Sequence, residues 1–116
     1  MRKEEFNAKM VRIHFSQNDK WNGKPIHEAI LSVCMDLGLA GATVYQGVEG
    51  FGLSAHIHHS SLWPGSNHPP IMISIIDREA QIELLLPYLD RMVSEGVVAI
   101  SDVEVIRFTN DRPAVS

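Results

Sequence analysis

The sequence contains almost no cysteine and no long apolar run. Cys34 is the single cysteine among 116 residues, so no disulfide can form within the chain and nothing requires an oxidising compartment. No apolar run approaches the roughly 20 residues that a membrane-spanning helix needs. The charged segment 1–7 is not followed by the apolar core of a signal peptide. These absences argue against a secreted or membrane-embedded protein, and we expect a cytoplasmic one.

Basic residues are also few. Lysine and arginine total 10 and are scattered, against 14 aspartate and glutamate residues, which gives a formal net charge of -4. A protein that binds nucleic-acid phosphate needs a clustered basic surface, so this class is disfavoured. The 45% of hydrophobic and 21% of charged residues are typical of one globular domain. We place that domain at residues 8–108 and expect residues 109–116 to form a flexible tail.

The first half of the chain predicts a strand, a helix and a second strand. Residues 10–15 alternate between apolar core positions and outward positions, as in a strand with one face on the core. From Pro25 onwards, apolar residues recur at helical spacing, and Gly38 is placed to end the helix in a left-handed conformation. The short apolar segment 41–46 predicts the second strand.

The second half predicts a strand, a helix and one or two final strands. Residues 71–76 are nearly all apolar, which is typical of a central strand. Asp77 is placed to cap the helix that follows, and Pro87 is expected to kink or divide that helix because it lacks a backbone donor. Residues 97–108 supply the final strand, with a break expected near 101–102.

This order of elements, β-α-β-β-α-β, predicts a ferredoxin-like fold of the α+β class. That fold has a four-stranded antiparallel sheet with two helices on one face. Its other face is uncovered, and here it presents residues such as Met10, Arg12 and Met72. A half-apolar uncovered face commonly becomes a subunit interface, so we expect a homo-oligomer.

A long irregular segment, residues 47–70, separates the second and third predicted strands. Loops of this length in compact domains are usually functional or disordered. Its glycines leave backbone N–H groups able to approach a phosphate closely, and the phenylalanine between two of them can stack on a base. The alternative is a bulge and turn at the base of a long hairpin. The candidate nucleotide-binding residues in this run are Gly47, Glu49, Gly50, Phe51 and Gly52.

A second candidate site precedes the first helix. Trp21 and Lys24 lie just before its N-terminus, where cations and the positive helix end attract phosphate. The alternative is that Trp21 packs on the domain and Lys24 is simply solvated. Arg78 and Arg107 are further candidate phosphate ligands, although most surface arginines have no such role.

Four runs identify a family resemblance: residues 20–25 (KWNGKP), 38–44 (GLAGATV), 47–52 (GVEGFG) and 102–106 (DVEVI). Together they resemble the family known as domain of unknown function 190, which is similar to the PII-like signalling superfamily. The resemblance runs over residues 8–108, which is nearly the whole chain.

The resemblance implies a PII-like homotrimer that binds an adenine nucleotide in clefts between subunits. It also implies that the loop 50–70 projects outward and reports the nucleotide state to a partner, such as a membrane transporter or channel. Residues 95–105 lack the glycine- and lysine-rich loop of authentic PII proteins. The resemblance therefore favours a smaller nucleotide, AMP or ADP, as the ligand, with no required cofactor.

The histidines of the same loop support an alternative function. On a strand, His56 and His58 would project to one face, which is a workable two-ligand spacing for zinc, copper or nickel. The CutA proteins are trimers of similar fold associated with divalent metals, so a CutA-like metal-binding trimer is the second hypothesis. Solvent-facing loop histidines without a metal are the third. Because no nucleophile elbow or diagnostic carboxylate pair is present, we do not expect an enzyme.

Overall fold

The computed structural model describes residues 1–16, 19–47, 49–51, 57–59 and 70–110. Within these ranges the chain forms two helices and eight strands, and four of the strands belong to one sheet. In chain order the elements are β1 (Arg2–Ser16), β2 (Lys20–Trp21), β3 (Lys24–Pro25), α1 (Ile26–Asp36), β4 (Ala42–Gln46), β5 (Glu49–Phe51), β6 (Ile57–His59), β7 (Pro70–Asp77), α2 (Glu79–Met92) and β8 (Val97–Thr109).

The four sheet strands lie in the order β4-β7-β1-β8, and each neighbouring pair is antiparallel. β1 therefore lies inside the sheet, between β7 and β8, and β4 and β8 are the two edge strands. With two helices in the βαββαβ order, this is the ferredoxin-like arrangement. The predicted α+β class is confirmed.

One face of the sheet is buried beneath the two helices. In β1, Val11 and Ile13 have no exposed surface, whereas Arg12 and His14 are exposed on the opposite face. This alternation follows because successive side chains of a strand point to opposite faces. The core is completed by Phe15 from β1, Ile71, Ile73 and Ile75 from β7, Ile26, Ala29, Ile30 and Cys34 from α1, and Ile82, Leu85, Leu89 and Met92 from α2.

The end of α1 follows the sequence prediction. Gly38 has φ +75°, the left-handed conformation that glycine adopts without a Cβ penalty. The N–H of Leu39 donates to the carbonyl of Cys34 at 3.0 Å, and the N–H of Gly38 donates to that of Met35 at 3.1 Å. This pair of bonds is a Schellman motif, and it satisfies two carbonyls that the helix end would leave free.

The start of α2 differs from the sequence prediction, and so does one of the two outcomes expected at Pro87, division of the helix. Arg78, not Asp77, is the N-cap, and the Asp77 carboxylate instead bonds the N–H groups of Ala40 and Arg78. Pro87 does not divide the helix, which continues from Glu79 to Met92. Both Pro87 and Glu83, whose carbonyl loses its donor, are exposed, so water can replace the missing bond. Neither helix in the described part of the chain is long and apolar enough to cross a membrane.

The strand pair β1 and β8 is longer and more continuous than the sequence pattern indicated. The expected break near 101–102 is wrong, because β8 pairs with β1 without interruption from Val97 to Thr109. Lys9 lies opposite Asp102, and its Nζ donates to the Asp102 carboxylate across the strand pair. The polar residues that suggested a break therefore make a cross-strand ion pair. Of the predicted tail, 111–116 lies outside the described residues.

Candidate functional site

The long segment between β4 and β7 begins and ends at one end of the sheet. Ser16, the last residue of β1, lies opposite Pro70, the first residue of β7. The N–H of Gly47 donates to the carbonyl oxygen of Pro70 at 2.8 Å. A Cβ at position 47 would lie 2.7 Å from Cγ of Pro70, which explains the glycine by close packing. Because that N–H is already bonded, Gly47 holds the base of the loop closed.

The other predicted loop residues that the structure describes lie on a small two-stranded ribbon. β5 pairs with β6 in an antiparallel register that sets Glu49 opposite His59, Gly50 opposite His58 and Phe51 opposite Ile57. This antiparallel pairing is consistent with the long hairpin of the alternative interpretation, whose bulge and turn stay a prediction. Gly52 and His56 lie outside the described residues. In chain order Gly47 directly follows β4, and Glu49, Gly50 and Phe51 form the next strand, β5; we call this stretch of sequence the path leaving β4.

Trp21 and Lys24 face each other across a second hairpin, formed by β2 and β3. Its two turn residues, Asn22 (φ 50°) and Gly23 (φ 82°), both have the positive φ of a type I′ turn. The hairpin leads directly into α1, and the N–H of Ile26 donates to the carbonyl of Asp19 at 2.9 Å. Trp21 is half-buried against the core, and Lys24 is exposed.

The turn between α2 and β8 lies at the same end of the sheet. Val97 is opposite His14, only two residues before the end of β1. A Cβ on Gly96 would lie 2.5 Å from the carbonyl oxygen of His14, so this turn passes very close to the β1 backbone. Gly96 and His14 are 82 positions apart in sequence, so no local sequence pattern indicates their contact.

Chain connectivity therefore brings the two predicted sites toward one end of the domain. The hairpin carrying Lys24 follows β1, and the path through Glu49 to Phe51 leaves β4. Among the described residues no side chain caps the N-terminus of α1, and exposed Lys24 comes two residues before the helix begins, with Glu28 in its first turn. The positive end of a helix favours an anion. Such an end can attract a phosphate group.

The two candidate arginines are at the opposite end, and they form one cluster. Arg78 Nη2 and Arg107 Nη1 approach the two carboxylate oxygens of Glu4, at 3.0 and 3.4 Å. Both guanidinium groups also lie over the ring of Phe6, at 3.9 and 5.1 Å from its centroid. The sequence did not indicate this cluster, because its members are up to 103 positions apart. In this chain both arginines are neutralised in part by one carboxylate.

Two further kinds of reactive group remain among the described residues, the Cys34 thiol and side chains that could bind a metal. Burial raises the pKa of the Cys34 thiol to about 11, so the thiol stays protonated and unreactive near neutral pH. No group of three histidine, cysteine or acidic side chains is close enough to hold a metal within the described ranges. His58 lies on β6, and the metal site of His56 and His58 stays a prediction.

Two sequence relatives match almost the whole chain. A UPF0166 protein of Aquifex aeolicus is 32% identical over 98 residues, which cover 84% of this chain and 92% of the relative. A UPF0166 protein of Methanocaldococcus jannaschii is 29% identical over 101 residues, which cover 86% of this chain and 93% of that protein.

The fold matches a solved PII-like structure. CPII, a nitrogen regulatory PII-like protein from Thiomonas intermedia K12 bound to ADP, AMP and bicarbonate, superposes with a TM-score of 0.63 at 21% identity, covering 88% of this chain and 91% of CPII. At that identity the likeness shows the fold alone. The model of the DUF190 family, described as uncharacterized ACR, COG1993, matches residues 8–105. The resemblance seen in the sequence is thereby confirmed: the chain belongs to the DUF190 family and has a PII-like fold.

Proposed function

We propose that this protein is a PII-like regulatory protein that binds an adenine nucleotide, AMP or ADP, and is not an enzyme. The observation that carries the proposal is the shared fold with CPII, whose structure holds ADP and AMP. The local geometry supports it, because one end of the sheet holds an exposed lysine, the base of the long loop and a helix N-terminus that no described side chain caps. An anion such as a nucleotide phosphate is favoured at that end.

The residues proposed to bind the nucleotide fall into two groups. Lys24 supplies charge for a phosphate, and Trp21 supplies the packed hairpin that holds Lys24 beside α1. In the path leaving β4 we propose that the backbone of Gly50, the ring of Phe51 and the carboxylate of Glu49 contact the nucleotide, because a carboxylate can accept a hydrogen bond from a ribose hydroxyl. Gly52, which lies outside the described residues, is proposed to contribute its backbone from the sequence alone. Gly47 contributes by closing the loop, because its N–H donates to the carbonyl of Pro70 and is therefore not available to the nucleotide.

The proposed assembly is a homotrimer in which the uncovered sheet face is a subunit interface. That face includes Ile76, which is 42% exposed, and Tyr45, which is 52% exposed. Apolar side chains of this size, left open on one face of a small domain, are typical of interaction sites. Nucleotide clefts formed between subunits would then depend on the trimer.

Regulation would work by population shift. Nucleotide bound at the loop base would favour one conformation of the loop 50–70 and so change the affinity for a partner protein. A membrane transporter or channel is the proposed partner. Binding of the nucleotide and binding of the partner would be coupled reciprocally, so the partner must change the nucleotide affinity by the same factor and in the same direction.

The test compares two lysine variants by calorimetric titration with ADP. Lys24→Met removes the proposed phosphate contact, and we expect the dissociation constant to rise by at least about tenfold, since charge-assisted hydrogen bonds are worth roughly 1.5–3 kcal/mol. Lys3→Met is the matched control, because Lys3 is an exposed lysine of β1 far from the loop base. Equal affinity of both variants would contradict the assigned site.

A second experiment distinguishes nucleotide binding from metal binding. The double variant His56→Ala/His58→Ala is titrated with ADP and with copper or zinc. The proposal predicts unchanged ADP affinity and no change in metal stoichiometry. Loss of a stoichiometric metal site in the variant, together with absent ADP binding in the natural sequence, would favour the CutA-like alternative.

A further inference from the structure

The uncovered face of the sheet, here called the outer face, carries a row of hydrogen-bond donors near its centre. The strand registers set Arg12 of β1 opposite Ser74 of β7, and Ser74 opposite Thr43 of β4. Residues directly opposite each other in antiparallel strands have Cβ atoms about 4.5–5.5 Å apart, so the three side chains are close neighbours. Arg12 and Thr43 are exposed, and Ser74 is partly exposed. We call these three residues the Arg12 row.

The side chains of the Arg12 row have no partner within the part of the chain that the structure describes. The guanidinium of Arg12 makes no ion pair and lies over no aromatic ring there, and neither hydroxyl of the row makes a hydrogen bond. A guanidinium carries five N–H donors in a planar fork that fits an oxyanion, and each hydroxyl carries one O–H donor. All these donors are therefore free to bind one ligand.

The outer face carries an excess of positive charge. Alternation along the strands assigns to this face the even-numbered residues of β1 and β7 and the odd-numbered residues of β4 and β8. Among those described residues Glu4 is the only acidic one, whereas Arg2, Arg12 and Arg107 are basic. Glu4 is already paired with Arg78 and Arg107. It also lies eight residues from Arg12, roughly 26 Å along β1, so it cannot neutralise that guanidinium.

Covering this face makes the charge of Arg12 unfavourable. The homotrimer proposed above places the outer face in a subunit interface, and a buried charge without a partner is strongly destabilising. A second copy that meets this face with its own outer face brings another Arg12, and its one acidic side chain there, Glu4, is already paired. An anion from solution can supply the missing negative charge, and it can contact the guanidinium groups of more than one subunit.

We propose that the Arg12 row binds an inorganic oxyanion of the phosphate class between the subunits. Arg12 donates to two oxygens of the anion, and the hydroxyls of Ser74 and Thr43 donate to the others. This site depends on the homotrimer proposed above, and it is separate from the proposed nucleotide site. Arg12 lies four residues before Ser16, which is opposite Pro70 at the base of the loop, so roughly 13 Å along β1 separates the two sites.

The experiment measures subunit association by light scattering over a protein dilution series, in inorganic phosphate and in chloride of equal ionic strength. Because the anion binds only the assembled state, phosphate at ten times its dissociation constant should strengthen association about tenfold for each anion bound. The chloride series controls for charge screening. Arg12→Gln should lose the phosphate effect and assemble in chloride at least as tightly as the natural protein. Arg91→Gln, at an exposed arginine of α2, should keep the phosphate effect.

Titration with ADP separates this site from the nucleotide site. Arg12→Gln should bind ADP with unchanged affinity, and phosphate should not compete with ADP. Loss of ADP binding in this variant, or competition between the two ligands, would overturn a separate anion site. A trimer that phosphate does not strengthen would overturn the anion site and leave the proposed function standing, whereas absent ADP binding with an intact phosphate effect would overturn the proposed function alone. A monomer at all protein and phosphate concentrations would overturn both the trimer and the anion site.

Discussion

The carboxylate of Asp77 accepts a hydrogen bond from the backbone N–H of Ala40 at 2.8 Å, between residues 37 positions apart. Its other oxygen accepts a hydrogen bond from the N–H of Arg78 at 2.7 Å. One side chain thereby connects the turn after α1 to the junction of β7 and α2. Asp77 is 9% exposed and is the one charged residue that is buried in the described part of the chain.

Removing this carboxylate should destabilise the domain. Asp77→Ala leaves the N–H of Ala40 without its partner, and we expect the free energy of unfolding to fall by about 1.5–3 kcal/mol, as for bonds to charged groups. Urea denaturation followed by circular dichroism measures the change. Asp90→Ala, an exposed position on α2, should change stability by less than about 0.5 kcal/mol. Equal effects of the two substitutions would show that the Asp77 bonds are unimportant.

Gly47 should not tolerate a side chain. In Gly47→Ala the new Cβ would lie 2.7 Å from Cγ of Pro70, so the loop base must shift, at a cost of about 1–3 kcal/mol for overpacking. Gly41→Ala is the control, because a Cβ there meets nothing within 4 Å. Thermal unfolding should show a lower midpoint for Gly47→Ala and little change for Gly41→Ala. If both variants unfold at the same temperature as the natural protein, the Gly47–Pro70 contact does not restrict the residue at position 47.

The periodicity of the sequence was enough to predict the fold. Core residues at every second position of β1 and β7, and at helical spacing in α1 and α2, fix the βαββαβ order. Gly38 ended its helix as predicted because a left-handed residue is required there. The break expected in β8 was wrong because local polarity at Asp102 gave no indication of Lys9, its partner 93 positions earlier.

The candidate site was only partly predictable for the same reason. The sequence places Lys24 and the glycine run in loops, and chain connectivity brings both to one end of the sheet. Contacts over long sequence distances were missed, among them Gly96 against His14 and the arginine cluster around Glu4. The role of Gly47 also changed, because its bond to Pro70 depends on where the loop returns.

The arginine cluster should stabilise the fold more through the ring of Phe6 than through its ion pairs with Glu4. Glu4 and both guanidinium groups are about half exposed, so Glu4→Gln should cost less than about 1 kcal/mol and even less at high salt. Phe6→Ala removes the surface over which Arg78 and Arg107 lie, and it should cost more. Urea denaturation at low and high salt measures both. A larger, salt-dependent loss in Glu4→Gln would reverse this order.

The buried thiol should give the stability a specific dependence on alkaline pH. Burial raises the pKa of Cys34 from 9.0 to about 11, so between these values the folded state binds more protons than the unfolded state. The free energy of unfolding must then fall as pH rises from 9 to 11. Cys34→Ala should lack this part of the decline, although it is less stable throughout because of the space it leaves. Parallel pH profiles of the two proteins would contradict a raised pKa.

Calorimetric titration of the natural protein with AMP, ADP and ATP tests whether the chain binds an adenine nucleotide. Light scattering on the same sample gives the number of subunits. We predict saturable binding of AMP or ADP at one nucleotide per subunit of a trimer, with weaker binding of ATP. Absence of binding by all three nucleotides, in a protein shown to be trimeric and folded, would contradict the account.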